Sequence, residues 1–423
     1  MNISNMQSLK LAKILAKSEC PSITYLSEEF PVFWNYAKGC YVWDVDNNRF
    51  LDMNSSFGVC GLGHCNEKIS EIIAEQSKKL IHGMGDVHPP QIKAELCELL
   101  LSTLPKDFGR VILSSNGSDA CESAIKTMLL YNKEKPEIIA FKGAYHGLGL
   151  GSLNLTHNDF FRKDFQTWLP KLTHFVDFPV KAEEIQIVLT DIKNIIQKSP
   201  IGAIIIEPIQ ARGGVKIAAK NFLKELRLLC NENNILLIFD EIYTGLCRTG
   251  DFFAFEFEEV MPDLLCLGKL LGGGLPLSAC IGKTDVMLKA WKASAGEAIH
   301  TSTFLGNPLI CKVACFILNE LKEKKYNLIV KEKGKYLKKI LEENFSEIKE
   351  IKEIRGRGLM FGIEFHDKYK YLAKECMIKG LEEGLILLPE GPEGEVLSIS
   401  PPFIINHEEL DFAINKIKKI LTN

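Results

Sequence analysis

The sequence predicts an α/β fold, with a large domain built on a mainly parallel sheet and a smaller α+β unit after it. Three observations carry that expectation. Short runs rich in Ile, Val and Leu recur without polar alternation, as expected of strands covered on both faces. Amphipathic helical patterns lie between several of them, and that alternation implies a parallel sheet wrapped by helices. From about residue 309 the texture changes to long Lys/Glu-rich stretches.

In chain order, "CYVWDVDNNRFLDM" (40–53) reads as strand candidates around a "DNN" hairpin turn, a segment that joins the C-terminal unit. The sheet candidates are "VILSS" (111–115), "IIAF" (138–141), "AIIIEP" (203–208), "ILLIFDE" (235–241), "DLLCLGK" (263–269) and "LSACIG" (277–282). In "KNFLKELRLLCNEN", Phe222, Leu226, Leu229 and Cys230 form one stripe of a helix. Past Gly306 come "CFILNELKEKK", "RGRGLMFGIEF" and a closing amphipathic helix after Pro402. The expected division is an N-terminal segment (1–60) packing with the small domain, a large domain (61–305) and a small domain (306–423).

The chain of 423 residues is 46% hydrophobic with net charge -3, enough for a sizeable core. That balance lacks the concentrated Lys and Arg that nucleic acid or an anionic membrane would call for. Nothing approaches the roughly 18 apolar residues of a membrane span, and the opening "MNISNMQSLKLAKILAK" lacks a basic start before an apolar block. A cytoplasmic protein with small-molecule ligands is expected. The 13 cysteines are scattered and read as reduced thiols rather than a disulfide framework. Cys60, His64 and Cys65 lie close in sequence, but no second cluster completes a zinc site, so no metal is expected.

Three strand ends carry unusual residues. In "SSNGSDACESAIK" (114–126) a strand feeds a glycine turn and a helix whose Ala120, Ala124, Ile125 and Met128 form an apolar face. Free amides at that helix start, with the Ser118 hydroxyl, make an anion site, provided Asp119 and Glu122 point away. Asp240 ends the "ILLIF" run, and a buried carboxylate needs a partner such as a protonated ring nitrogen. Lys269 follows "DLLCLG" and precedes three glycines. Removing its ammonium from water favours the neutral amine that attacks an aldehyde.

A phosphate-binding turn, a ring-binding aspartate and a Schiff-base lysine, in that order, resemble the class III aminotransferases, enzymes of pyridoxal 5'-phosphate with an aspartate-aminotransferase-like fold on a seven-stranded-type sheet. The likeness also runs through "GLGHCN", "FKGAYHG", "IIEPIQARGGV", "LLIFDEIYTGLCRTG", "DLLCLGKLLGGGLPLSACIG", "HTSTFLGNP" and "RGRGLMFGIE". It implies that Lys269 bonds the cofactor and later moves a proton, while Asp240 keeps the ring nitrogen protonated. Gly117 and Ser118 would hold the phosphate and Tyr145 would stack on the ring, with His146 and Glu207 also in the cofactor's surroundings. Thr303 would reach the phosphate of the other subunit, so a homodimer with shared sites is implied.

Two departures concern the substrate. Tyr243 stands where relatives often have glutamine near the cofactor's phenolic oxygen. Ser398, in "VLSISPPF", stands where relatives that use α-amino acids carry an arginine clamping the α-carboxylate. Either Arg212 in "IQARGGV" serves instead, or one substrate lacks that carboxylate. The resemblance favours amino transfer by a two-half, ping-pong reaction. Racemases, aminomutases and decarboxylases on the same scaffold are the alternative. Nucleotide motifs fail on spacing: Leu277 occupies the first glycine position of a P-loop ending in "GKT", and Phe361 and Ser152 replace the third glycine of dinucleotide fingerprints.

Overall fold

The structure is a computed structural model and describes residues 5–27 and 30–422. The first four residues of the opening stretch read above lie outside the described residues. Met6–Ser18 of that stretch forms a helix.

A seven-stranded sheet forms the centre, in the order Phe108–Ser114, Ser278–Lys283, Leu264–Leu267, Leu236–Asp240, Ile201–Ile206, Glu137–Phe141 and Thr173–Val176. Ser278–Lys283 runs against both its neighbours and the other pairings are parallel. All six apolar runs identified in the sequence are strands of this sheet, with ends shifted by up to three residues. The seventh, Thr173–Val176, has only four residues and sits at an edge, where its Thr and His are tolerated.

The apolar runs are unbroken because helices cover both faces. Ile201–Ile206 and Leu236–Asp240 are buried at every position. The helix Phe222–Glu232 turns Phe222, Leu226, Leu229 and Cys230 inward, as its stripe predicted. Each large apolar side chain buried this way contributes roughly 1.5–3 kcal/mol. Sharing one direction, the strands ending at Ser114, Phe141, Ile206, Asp240 and Leu267 deliver their next residues to one edge, where parallel sheets bind ligands.

The C-terminal part holds a four-stranded antiparallel sheet, in the order Ile351–Arg357, Met360–Phe365, Val396–Ile399 and Leu388–Glu390. The "DNN" turn joins Tyr41–Asp44 to Arg49–Asp52 as an antiparallel pair, with Asn47 at φ 66°. Arg49–Asp52 also pairs in parallel with Leu385–Ile386, tying the N-terminal strands to the C-terminal part. The helix Pro308–Glu323 packs on the glycine loop after Lys269. A Cβ on Gly273, at φ 57°, would stand 2.4 Å from Ile317 Cδ1.

Candidate active site

The five strand ends open into one cavity of 510 Å³. Its walls include Gly117, Ser118, Tyr145, His146, Glu207, Asp240, Tyr243 and Lys269. Of the residues expected at the site, only Thr303 is not among them. It is exposed, on a segment anchored by the Thr301 hydroxyl donating to Asp86 at 2.8 Å.

The phosphate turn is built as a helix entry. Asn116 caps the helix Gly117–Tyr131 by accepting from the Asp119 amide at 3.0 Å. The Gly117 and Ser118 amides have no acceptor among the described residues, as expected for the first turn of a helix. Both carboxylates near this turn have partners: Asp119 accepts from the side chain of the capping Asn116 at 2.7 Å and Glu122 from the Ser152 amide at 2.8 Å. Ser118 Oγ accepts from the Gly149 amide at 3.0 Å and bonds to the Ser152 hydroxyl. The chain passes this hydroxyl so closely that a Cβ on Gly147, at φ 116°, would lie 2.8 Å from Ser118.

Asp240 is buried, and its Oδ1 accepts from the Ile242 amide at 3.0 Å. Its Oδ2 lies 2.7 Å from His146 Nδ1 and 3.5 Å from Cys121 Sγ. Burial pulls the His146 imidazole down, but its contacts with Asp240 and Cys121 override this and raise it to about 10. His146 Nε2 is buried with no hydrogen-bond partner among the described residues. Glu207 accepts from the amides of Tyr145 at 3.0 Å and Ala211 at 3.2 Å. Burial nevertheless lifts it to about 7, with His146 opposing and Asp240 reinforcing the shift.

Lys269 opens a single 3₁₀ turn, with its own backbone at φ 46°. A left-handed non-glycine residue costs roughly 1–2 kcal/mol, and such strain gathers at functional positions. Its ammonium lies 4.6 Å from the centre of the Tyr243 ring, so Tyr243 offers it a ring face. No salt bridge reaches it among the described residues. Desolvation lowers its pKa, although Asp240, Glu207 and Glu390 pull the other way. Less attraction for the proton leaves more of the nucleophilic amine.

The cavity fits pyridoxal phosphate on these observations: two unpartnered helix-start amides for the phosphate, a carboxylate for a ring nitrogen, and an amine with lowered proton affinity. Sequence reasoning missed part of its lining, notably Phe57, Phe161 and Glu390. Glu390 sits in "PEGPEGE", whose Pro and Gly mark a turn and say nothing of a buried carboxylate. Arg212 does line the cavity, over the rings of Tyr145 at 5.4 Å and Phe161 at 5.9 Å. Ser398 is buried in its strand, opposite Gly362 and Leu388, and is not part of the lining.

This fold is shared with solved transaminases. The ornithine aminotransferase from Toxoplasma gondii ME49 superposes with TM-score 0.87 at 28% identity, covering 98% of this chain and 95% of that one. A second structure of the Toxoplasma gondii enzyme has TM-score 0.86 at 28% identity, covers 99% and 98%, and is described with partial occupancy of pyridoxal phosphate at its active site. In sequence, the acetylornithine aminotransferase of Methanopyrus kandleri is 35% identical over 93% of this chain and 95% of its own. Ornithine aminotransferase 1 of Staphylococcus saprophyticus is 35% identical over 91% and 93%. Residues 24–421 match the family Aminotransferase class-III. The chain belongs to the class III aminotransferases, enzymes that use pyridoxal phosphate to move amino groups between small molecules.

Proposed function

We propose that Lys269 is the residue bonding the cofactor and that amino transfer proceeds in two half-reactions through one cavity. The observation that carries this reading is the meeting of Lys269 and Asp240 in that cavity, with the phosphate turn beside them. When bound, pyridoxal phosphate supplies an aldehyde that condenses with amines and a ring that takes up the electrons of the bond broken at the substrate carbon. Gly117 and Ser118 would hold the phosphate through their amides and the serine hydroxyl. Asp240, itself fixed by His146 and the Ile242 amide, would pair with the ring nitrogen and keep its proton in place. Tyr145 would offer its ring face to the cofactor, and Glu207 is fixed beside it by the amides of Tyr145 and Ala211. The Lys269 amine would be the group that takes up and returns a proton at the reacting carbon.

The relatives and the family favour transfer over racemisation or decarboxylation on the same scaffold. Several exposed apolar side chains, among them Ile81, Met84, Ile299 and Phe304, lie near Thr303 in sequence or across its anchoring contact, as expected of a surface meeting a second copy. On this reading Thr303 completes the partner subunit's phosphate site in a homodimer. The unpaired thiols suit the reducing cytoplasm. We divide the chain at 1–60, 61–305 and 306–423, the first segment belonging with the third through the pairing of Arg49–Asp52 with Leu385–Ile386.

The substrates named for the relatives are not carried over, because Ser398 replaces the arginine that family resemblance places there. The test is to load the protein with pyridoxal phosphate and add amines without an acceptor. Conversion to the pyridoxamine form with release of an oxo product is expected. Loss of substrate chirality with unchanged cofactor, or release of carbon dioxide, contradicts it.

A further inference from the structure

The charges lining the cavity are unequally satisfied. Asp240 is held by His146 and a backbone amide, and Glu207 by two amides. Glu390 is as buried as these, with 7% exposure, yet its partner among the described residues is the Arg212 Nε at 3.4 Å, a single long contact. A carboxylate offers about four acceptor positions, so most of this one's capacity is unused. Burial raises Glu390 to about 7, and Arg212 and Lys269 draw it back.

Arg212 marks what this corner of the cavity accepts. Its guanidinium lies over Tyr145 and Phe161 and beside Glu390, so two ring faces and a carboxylate surround a cation. The arginine side chain itself is 42% exposed, so a cation arriving from the cavity can displace it toward solvent without burying its charge. A substrate carboxylate meets the opposite situation. With serine at 398 outside the lining and the His146 imidazole paired with Asp240, the cations left for it there are Lys269 and Arg212. Drawing Arg212 away leaves Glu390 buried, unpaired and close to a second negative charge, which is unfavourable on both counts.

We propose that Glu390 is the specificity-determining residue for the amino donor, selecting amines that carry a second cationic group, of which a diamine is the simplest case. This rests on the transfer reading above. The donor's reacting amine approaches Lys269, while its distal ammonium takes the place of the Arg212 guanidinium against Glu390, Tyr145 and Phe161. Lys269 and Glu390 line the same cavity, so both ends of such a donor would meet their partners within it.

The experiment follows single half-reactions of the pyridoxal-phosphate-loaded enzyme, without acceptor, for 1,5-diaminopentane, pentylamine and 5-aminopentanoate. The diamine is expected to exceed pentylamine in second-order rate constant by about tenfold or more, the scale of one hydrogen bond to a charged group. The amino acid is expected to be the poorest of the three. In Glu390→Gln the diamine-to-pentylamine ratio collapses toward one, while Glu390→Asp retains part of it. Reading a ratio within each protein separates this effect from damage to folding. An unchanged ratio in Glu390→Gln overturns the proposal. So does a wild-type preference for 5-aminopentanoate that is lost in Arg212→Ala. An enzyme that converts none of the three also overturns it, and conversion of some other amine in a wider series would leave the transfer reading standing.

Discussion

The two ends of the cavity are built differently. The proposed cofactor end, with Gly117, Ser118, Asp240 and Lys269, stands directly on the ends of buried strands, with Asp240 fixed by His146 and the Ile242 amide and the Ser118 hydroxyl by the Gly149 amide. The proposed substrate end, with Arg212, Glu390, Phe57 and Phe161, comes from a turn, two one-turn helical segments and an edge strand of the C-terminal sheet, and its central pair is held by one long contact. Chemistry common to a family needs a site with few degrees of freedom, which strand ends supply. Selectivity is set by segments that change without disturbing the sheet.

Substitutions at the two ends should therefore differ in kind. Lys269→Ala removes the amine itself, and loss of the half-reaction by about 10⁴-fold is expected, measured by stopped-flow with saturating donor. A small loss would remove Lys269 from the chemistry. Asp240→Asn keeps the shape but takes the charge from the group that would pair with the ring nitrogen and from His146, and the rate should fall by roughly 10² to 10³-fold with weaker cofactor retention. Unchanged spectrum and rate would break the assignment. Gly147→Ala places a methyl against Ser118 and strains a backbone at φ 116°, so the cofactor dissociation constant should rise about tenfold by fluorescence titration.

The smallest effect belongs to the substrate end and to the apoprotein. Glu390 is raised from 4.5 to about 7 in the folded chain, so the folded state holds its proton more tightly than the unfolded state. The resulting stability is fully present below pH 4.5 and is lost as pH rises through 7, about 3 kcal/mol in all. Relative to Glu390→Gln, the wild-type apoprotein should thus lose melting temperature between pH 4.5 and 8. A constant difference would mean that Glu390 is not buried in solution.

What the sequence disclosed follows the same division. Six of the seven central strands were readable because burial on both faces leaves unbroken apolar runs, while Thr173–Val176 was hidden by its edge position and polar residues. Lys269 and Asp240 stood out as charges at the ends of such runs. Glu390 had no such frame, since a carboxylate in a Pro/Gly turn is ordinarily solvated and only the fold buries it. The left-handed backbone of Lys269 was equally invisible, because the glycines that signal such geometry follow it instead of occupying its position.

The claim on which most depends is that the Lys269 amine carries the cofactor. Borohydride reduction of the pyridoxal-phosphate-loaded wild-type protein, followed by peptide mass mapping, tests it most directly. The account predicts a stoichiometric pyridoxyl label on the peptide containing Lys269; a label on another lysine, or no label on a protein that binds the cofactor, would contradict it.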